Sequence, residues 1–260
     1  MIEPSSGQAT LGQPVDTSAG FWQVLLDCFF RPAERFSRFR YRPQWVAPLL
    51  VLSLLSVFIT VLHRYVVPYA NQVQAQIDQT EKITGPLSSE EKEARVSRRP
   101  GVTAQVGWLG LIVVFTGLST LVCALAFWIA MMISGEDMGF ATLFSLTTHS
   151  MVPPSVVWTL CATALLFLKD ANDIDPVRLD NLVFSNPGAA FNWEISHPFL
   201  QSILGSIDVF SIWTMALMAI GISACARNKP LRKSAAITAA VWGLYILAKG
   251  LLAVWIPAIA

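Results

Sequence analysis

Residues 199–226 read FLQSILGSIDVFSIWTMALMAIGISACA, and Asp208 is the one charged side chain in that run. A helix needs about 20 apolar residues to cross a hydrocarbon core about 30 Å thick, and this stretch is long enough. A charge at the centre of such a helix costs about 2.5–3.5 kcal/mol on insertion scales. The reading of the chain therefore turns on whether this segment lies in lipid, and on what meets the carboxylate if it does.

Composition points to lipid. Of the 260 residues, 54% are hydrophobic and 13% charged. Soluble domains carry about 25% charged residues. The net charge of +1 gives no reason to expect a nucleic-acid partner. Cys28, Cys123, Cys161 and Cys225 are far apart, as are His63, His149 and His197. They form no CxxC or metal-ligand spacing, so neither disulfide, metal site nor cofactor is expected. HExxH, GxSxG and Walker sequences are also absent, so the chain is read as a non-enzyme.

Five segments have the length and apolarity of spans: about 45–67, 106–133, 139–169, 199–226 and 234–257. Backbone groups in lipid must bond within their own segment, and no period-two alternation suggests a barrel, so the spans are helices. The expected fold is an all-α membrane protein of five spans, covering residues 21–257. Residues 1–20, polar and rich in Gly, Ser and Pro, read as a disordered cytoplasmic tail.

Orientation follows from the basic residues. Arg31, Arg35, Arg38, Arg40 and Arg42 precede the first span, and Arg227, Lys229, Arg232 and Lys233 join the fourth to the fifth. With five spans both groups fall on one side, which the positive-inside rule places in the cytoplasm, leaving the C-terminus outside. The expected location is the bacterial cytoplasmic membrane. The 68–105 link, external in this scheme, carries its own Lys and Arg and runs against the rule. Within it, Ser88 and Glu91 have capping-box spacing, which suggests a short helical hairpin or a helical extension outside the membrane.

Residues 21–39, FWQVLLDCFFRPAERFSRF, are too short to span. An amphipathic helix lying on the cytoplasmic leaflet fits, with Trp22, Phe29 and Phe30 in the acyl boundary and Arg31 and Arg35 near anionic headgroups. Packing of the same segment against the bundle fits equally.

Asp208 has a candidate partner. At about 1.5 Å per residue, Asp208 on the fourth span and Lys249 on the fifth each lie roughly 12–14 Å below the outer surface. An Asp208–Lys249 contact is expected between these antiparallel neighbours. Gln201, Gly205 and Asp208 share one side of the fourth helix, with Ser211 at its edge. The pair is read first as structural glue; a transport or proton-relay role and snorkelling of Lys249 alone are the alternatives.

The third span contains TTHSMVPP, residues 147–154. Pro153 and Pro154 suggest a break. A short helix to about residue 150, a proline-initiated turn and a crossing over 153–169 would leave His149 at the interface. Alternatively, a broken helix at the midplane would make His149 part of a polar site.

FFRPAERFSRFRYRPQWVAPLLV, GEDMGFATLFSLTTHSMVPP and DVFSIWTMALMAIGISA together resemble the Yip (Ypt-interacting protein) family in its bacterial-type form, over about residues 21–257. The resemblance implies five spans and a cytoplasmic N-terminus. Eukaryotic relatives are linked to Rab-type GTPases and vesicle traffic. Only a partial echo of their acidic YEDG-like motif stands here, as GEDMG with Glu136 and Asp137, so GTPase binding is not carried over. The expected function is that of a scaffold or adaptor in the membrane, with the lipid bilayer, other membrane proteins or a homo-oligomer as partners. The alternative is a small-solute or ion transporter using Asp208, Lys249 and His149.

Overall fold

The computed structural model describes residues 21–97, 101–176, 179–190, 197–226 and 230–255. The expected tail over 1–20 lies outside the described residues. The described residues form helices and turns with no strand. They are α1 (Phe21–Phe30), α2 (Pro32–Ser37), α3 (Val46–Val66), α4 (Tyr69–Thr84), α5 (Ser89–Ser97) and α6 (Val102–Ile133). After these come α7 (Phe140–Leu168), α8 (Pro187–Ala190), α9 (Pro198–Ser206), α10 (Val209–Cys225) and α11 (Leu231–Trp255).

Four single helices, α3, α6, α7 and α11, are long and apolar enough to cross a membrane. The bent pair α9–α10 makes a fifth span when taken together. Large apolar side chains cover the outer surface: on α6 alone, Leu111, Val114, Phe115, Leu118 and Val122 are exposed. Such a surface would drive aggregation in water and is the expected one in hydrocarbon.

The centre of the bundle is α7, which packs against α1, α3, α6 and α10. Its residues 142–150 are buried on all sides and unusually polar: Thr142, Ser145, Thr147, Thr148, His149 and Ser150 are all buried. These side chains are satisfied largely within the helix. The hydroxyls of Ser145, Thr147 and Thr148 donate to the carbonyls of Ala141, Leu143 and Ser145 at 2.8–3.0 Å. His149 Nδ1 also donates to the Ser145 carbonyl, at 2.8 Å.

The turn expected at Pro153–Pro154 is not there. α7 runs unbroken through both prolines. Each proline lacks one N–H, so two hydrogen bonds of the ladder are lost, but φ near −65° still suits a helix. Both prolines and the residues before them are buried, and that packing holds the helix together. His149 consequently lies inside the protein, its ring centroid 4.3 Å from that of Phe39, and not at an interface.

Two apolar cores sit at opposite ends of the bundle. At the α2 end, Phe36, Phe39, Met131, Leu146, Met218 and Ile222 pack together. At the other, Ile59, Val67, Ala162, Leu166, Ile174 and Leu182 do so. There His63 on α3 donates from Nε2 to the Asp175 carbonyl at 3.0 Å, tying the end of α3 to the loop after α7.

The segment before α3 is more embedded than a leaflet helix. Cys28, Arg35, Phe36 and Phe39 are buried, whereas Leu26 and Phe30 face outward. The Cys225 thiol donates to the Phe36 carbonyl at 3.0 Å, and Thr142 donates to the Phe39 carbonyl at 3.3 Å. The helix therefore both covers the bundle and presents one apolar edge outward.

The link after α3 folds as the expected hairpin. Gly85, at φ 91°, ends α4 in a conformation that costs a glycine little. The capping box then starts α5: the Glu91 N–H donates to Ser88 Oγ at 3.2 Å, and the Ser88 N–H to Glu91 Oε2 at 2.9 Å. Lys92 and Glu81 pair across the hairpin at 2.8 Å.

Candidate functional site at the broken fourth span

The fourth span is not one helix. It bends by 57° between α9 and α10, at Ile207 and Asp208. Asp208 is the N-cap of α10, with extended backbone angles. Oδ1 accepts from the N–H groups of Phe210 and Ser211 at 2.8 and 3.0 Å, and Oδ2 accepts from the Ser211 hydroxyl. A helix start exposes N–H groups with no partner in the helix, and the Asp208 carboxylate satisfies two of them where they arise.

The expected Asp208–Lys249 pair does not form. Among the described residues no cation forms an ion pair with Asp208. Lys249 Nζ donates to Ser206 Oγ at 3.3 Å, reaching the end of α9 rather than the start of α10. Ser206 Oγ in turn donates to the Ser202 carbonyl at 2.7 Å. The bend turns the carboxylate towards its own helix.

Beside the cap lies a cavity of about 300 Å³. Leu52, Ser56 and Ile59 of α3 form one wall, and Pro154, Ser155, Trp158 and Thr159 of α7 another. Gly205, Asp208, Phe210, Ser211 and Thr214 form the third, with Ser185 and Asn186 from the loop after α7. α8 is pressed onto the end of α9: a Cβ on Gly188 would lie 2.8 Å from the backbone nitrogen of Gly205, so this approach requires glycine.

The other candidate residues divide. Pro154 and Ser211 line the cavity, whereas Pro153, Gln201 and His149 do not. His149 belongs to the core at the α2 end. Of the proposed anchors, Phe30 is 79% exposed and Arg31 is exposed, while Phe29 packs edge-on against Trp213 at 6.0 Å. Arg35 is a correction: it is only 5% exposed, donates from Nη2 to Gln44 Oε1 at 2.7 Å, and lies 5.5 Å from the Phe39 ring centroid. Burial lowers its pKa. It fastens α2 to the approach of α3 rather than meeting headgroups. Trp22 lies in α1, and its side chain is outside the described set.

The sequence reading missed Ser155, Trp158 and Thr159, though Ser155 and Thr159 stand at i and i+4 on one helix face. It also missed the break itself. Asp208 is an N-cap residue type standing directly before an apolar run and just after Gly205-Ser206, which is a helix-start signal.

All these elements lie within one family's profile, described as Yip1 domain, which matches residues 26–253. The chain belongs to the Yip1 domain family. The match runs from within α1 to near the end of α11, so the broken span and its cavity are part of this Yip1 domain. The chain is 26% identical over 192 residues to a Bacillus subtilis (strain 168) protein named "Membrane protein YknW", covering 74% of this chain and 73% of that one. No solved structure matches the chain. The helices and this relative together make the protein an integral, multi-pass membrane protein.

Proposed function

We propose that this Yip1-domain protein is a non-enzymatic scaffold that holds other membrane proteins, or its own copies, through its lipid-facing helices. The carrying observation is α6. It is 32 residues long, and only 11% of its most apolar window is buried within the chain. At about 1.5 Å per residue it is about 48 Å long, well beyond the hydrocarbon thickness. A long helix that packs against α3, α7 and α11 yet buries so little of its surface offers the rest to another helix. Gly107, Gly110 and Gly117 have nothing within 4 Å of a would-be Cβ, so a partner backbone could approach closely there. We place the N-terminus in the cytoplasm of a bacterial cell. Supporting this, Arg31 in the basic segment before α3 and Leu231 at the start of α11, next to Arg232 and Lys233, line one groove at the same end of the bundle.

Photo-crosslinkers at Phe115, Leu118 and Val122 in native membranes test the scaffold. One discrete protein adduct, recurring from positions on one α6 face and lost from another, is the expected result. Lipid adducts alone at every position would overturn it. The cavity beside Asp208 favours a second reading, transport of a small solute or ion. Solute or ion flux in reconstituted vesicles that is lost in Asp208→Asn would establish that reading instead.

A further inference from the structure

We propose that the cavity at the broken fourth span binds an organic ammonium group, either as a free small amine or as the headgroup of an amine-bearing phospholipid. This goes beyond the scaffold reading and stands apart from it, since a scaffold could keep or lack such a site.

The charge comes from Asp208. A carboxylate has about four lone-pair positions for hydrogen bonds. Three bonds are made, all by α10 itself: two N–H groups on Oδ1 and the Ser211 hydroxyl on Oδ2. One position on Oδ2 is left, and Asp208 lines the cavity. Lys249, the base on the neighbouring helix, donates to Ser206 Oγ at 3.3 Å, and among the described residues it forms no ion pair with Asp208. A carboxylate inside a membrane domain without a cation is costly, so a cationic occupant offsets that cost.

The walls choose the kind of cation. Trp158 and Phe210 both line the space, and aromatic faces attract ammonium groups. Ser155 and Thr159 add hydroxyl acceptors for an N–H donor. The volume of about 300 Å³ equals roughly ten waters, far more than a bare alkali ion fills and suited to a small organic group. Among the described residues no set of three or more His, Cys, Asp or Glu stands ready for a metal.

The test uses the full chain in nanodiscs of phosphatidylglycerol, titrated calorimetrically with choline and with ethanolamine. In parallel, protein taken from mixed phosphatidylethanolamine and phosphatidylglycerol vesicles is examined by native mass spectrometry for retained lipid. Saturable amine binding identifies a free ligand, and selective retention of phosphatidylethanolamine identifies a lipid headgroup; either supports the proposal. Asp208→Asn removes the charge while Asn still caps the helix, so it should reconstitute with unchanged helix content and bind at least tenfold more weakly. Trp158→Leu, with the charge intact, should weaken binding several-fold and serves if the Asn variant does not fold. Absence of both binding and retention, undiminished binding in either folded variant, or displacement by equimolar potassium would overturn the proposal. Flux measured on the same nanodisc-competent protein after vesicle reconstitution separates a binding site from a transport path.

Discussion

Lys249 donates to Ser206 at 3.3 Å and leaves Asp208, the acid next to that serine's helix end, to cap its own helix. An acid and a base at similar depth on neighbouring helices would ordinarily pair. Here the 57° bend creates a helix start whose N–H groups claim the carboxylate first. Asp208→Ala should therefore destabilise the protein by about 0.5–2 kcal/mol, and Asp208→Asn by much less. With Lys249→Met added to Asp208→Asn, the losses should sum to within about 0.5 kcal/mol. Unfolding in lipid–detergent mixtures reads both. A double variant more stable than either single one would mean an ion pair after all.

Gly221 is the tightest point of the core at the α2 end. A Cβ there would lie 2.8 Å from Leu146 Cδ2 and 3.0 Å from Phe36 Cδ2. Gly221→Ala should lower stability by about 1–3 kcal/mol, because α2, α7 and α10 must part to admit it. Gly243→Ala, where nothing lies within 4 Å, should be neutral or better. Thermal denaturation of the two variants side by side separates steric exclusion from a general need for small residues in these helices.

Cys28 should be inert. It is fully buried, and burial pushes its thiol up to about 12, against the opposing pull of the Arg35 charge and with a smaller push from Asp27. At pH 8 only about one thiol in 10⁴ is then ionised, and the thiolate is the reactive form. In a variant keeping only this cysteine, a water-soluble maleimide should label nothing until the protein is denatured. Rapid labelling of the folded form would mean α1 leaves the bundle.

The α4–α5 hairpin should loosen in acid. Lys92 and the Leu87 N–H hold Glu81 below its ordinary 4.5, and the Ser88 N–H and hydroxyl do the same for Glu91. For carboxylates so depressed, the contribution is present above 4.5 and is lost as the pH falls through their lowered values. Spin labels at the exposed Gln76 and Glu93 should give a narrow distance distribution at pH 7 that broadens once the pH has fallen below 4.5. An unchanged distribution at pH 3 would show that apolar contacts hold the hairpin closed without these carboxylates.

Hydropathy was enough to read the helices. Once the surroundings are hydrocarbon, a run such as VGWLGLIVVFTGLSTLVCALAFWIAMMI can satisfy its backbone only as a helix, and no partner is needed to say so. The Ser88–Glu91 box was equally local: both residues lie within one turn, so spacing alone dictates the bonds. The rise per residue also brought Lys249 to the right neighbour, the fourth span, although the contact is with Ser206 and not Asp208.

What tertiary structure alone decided is where the helices break and which way polar groups point. Pro153 and Pro154 looked like a break and are not one, because burial around them outweighs two lost hydrogen bonds. Ile207–Asp208 looked continuous and is the break: α8 packs closely at Gly188 on Gly205, and α10 starts afresh on an Asp cap. Arg35 looked like a headgroup contact and is buried beneath the bundle's edge, over Phe39. In each case the choice depends on the energy of contacts between segments far apart in sequence, and a periodicity read along one segment contains no information about them.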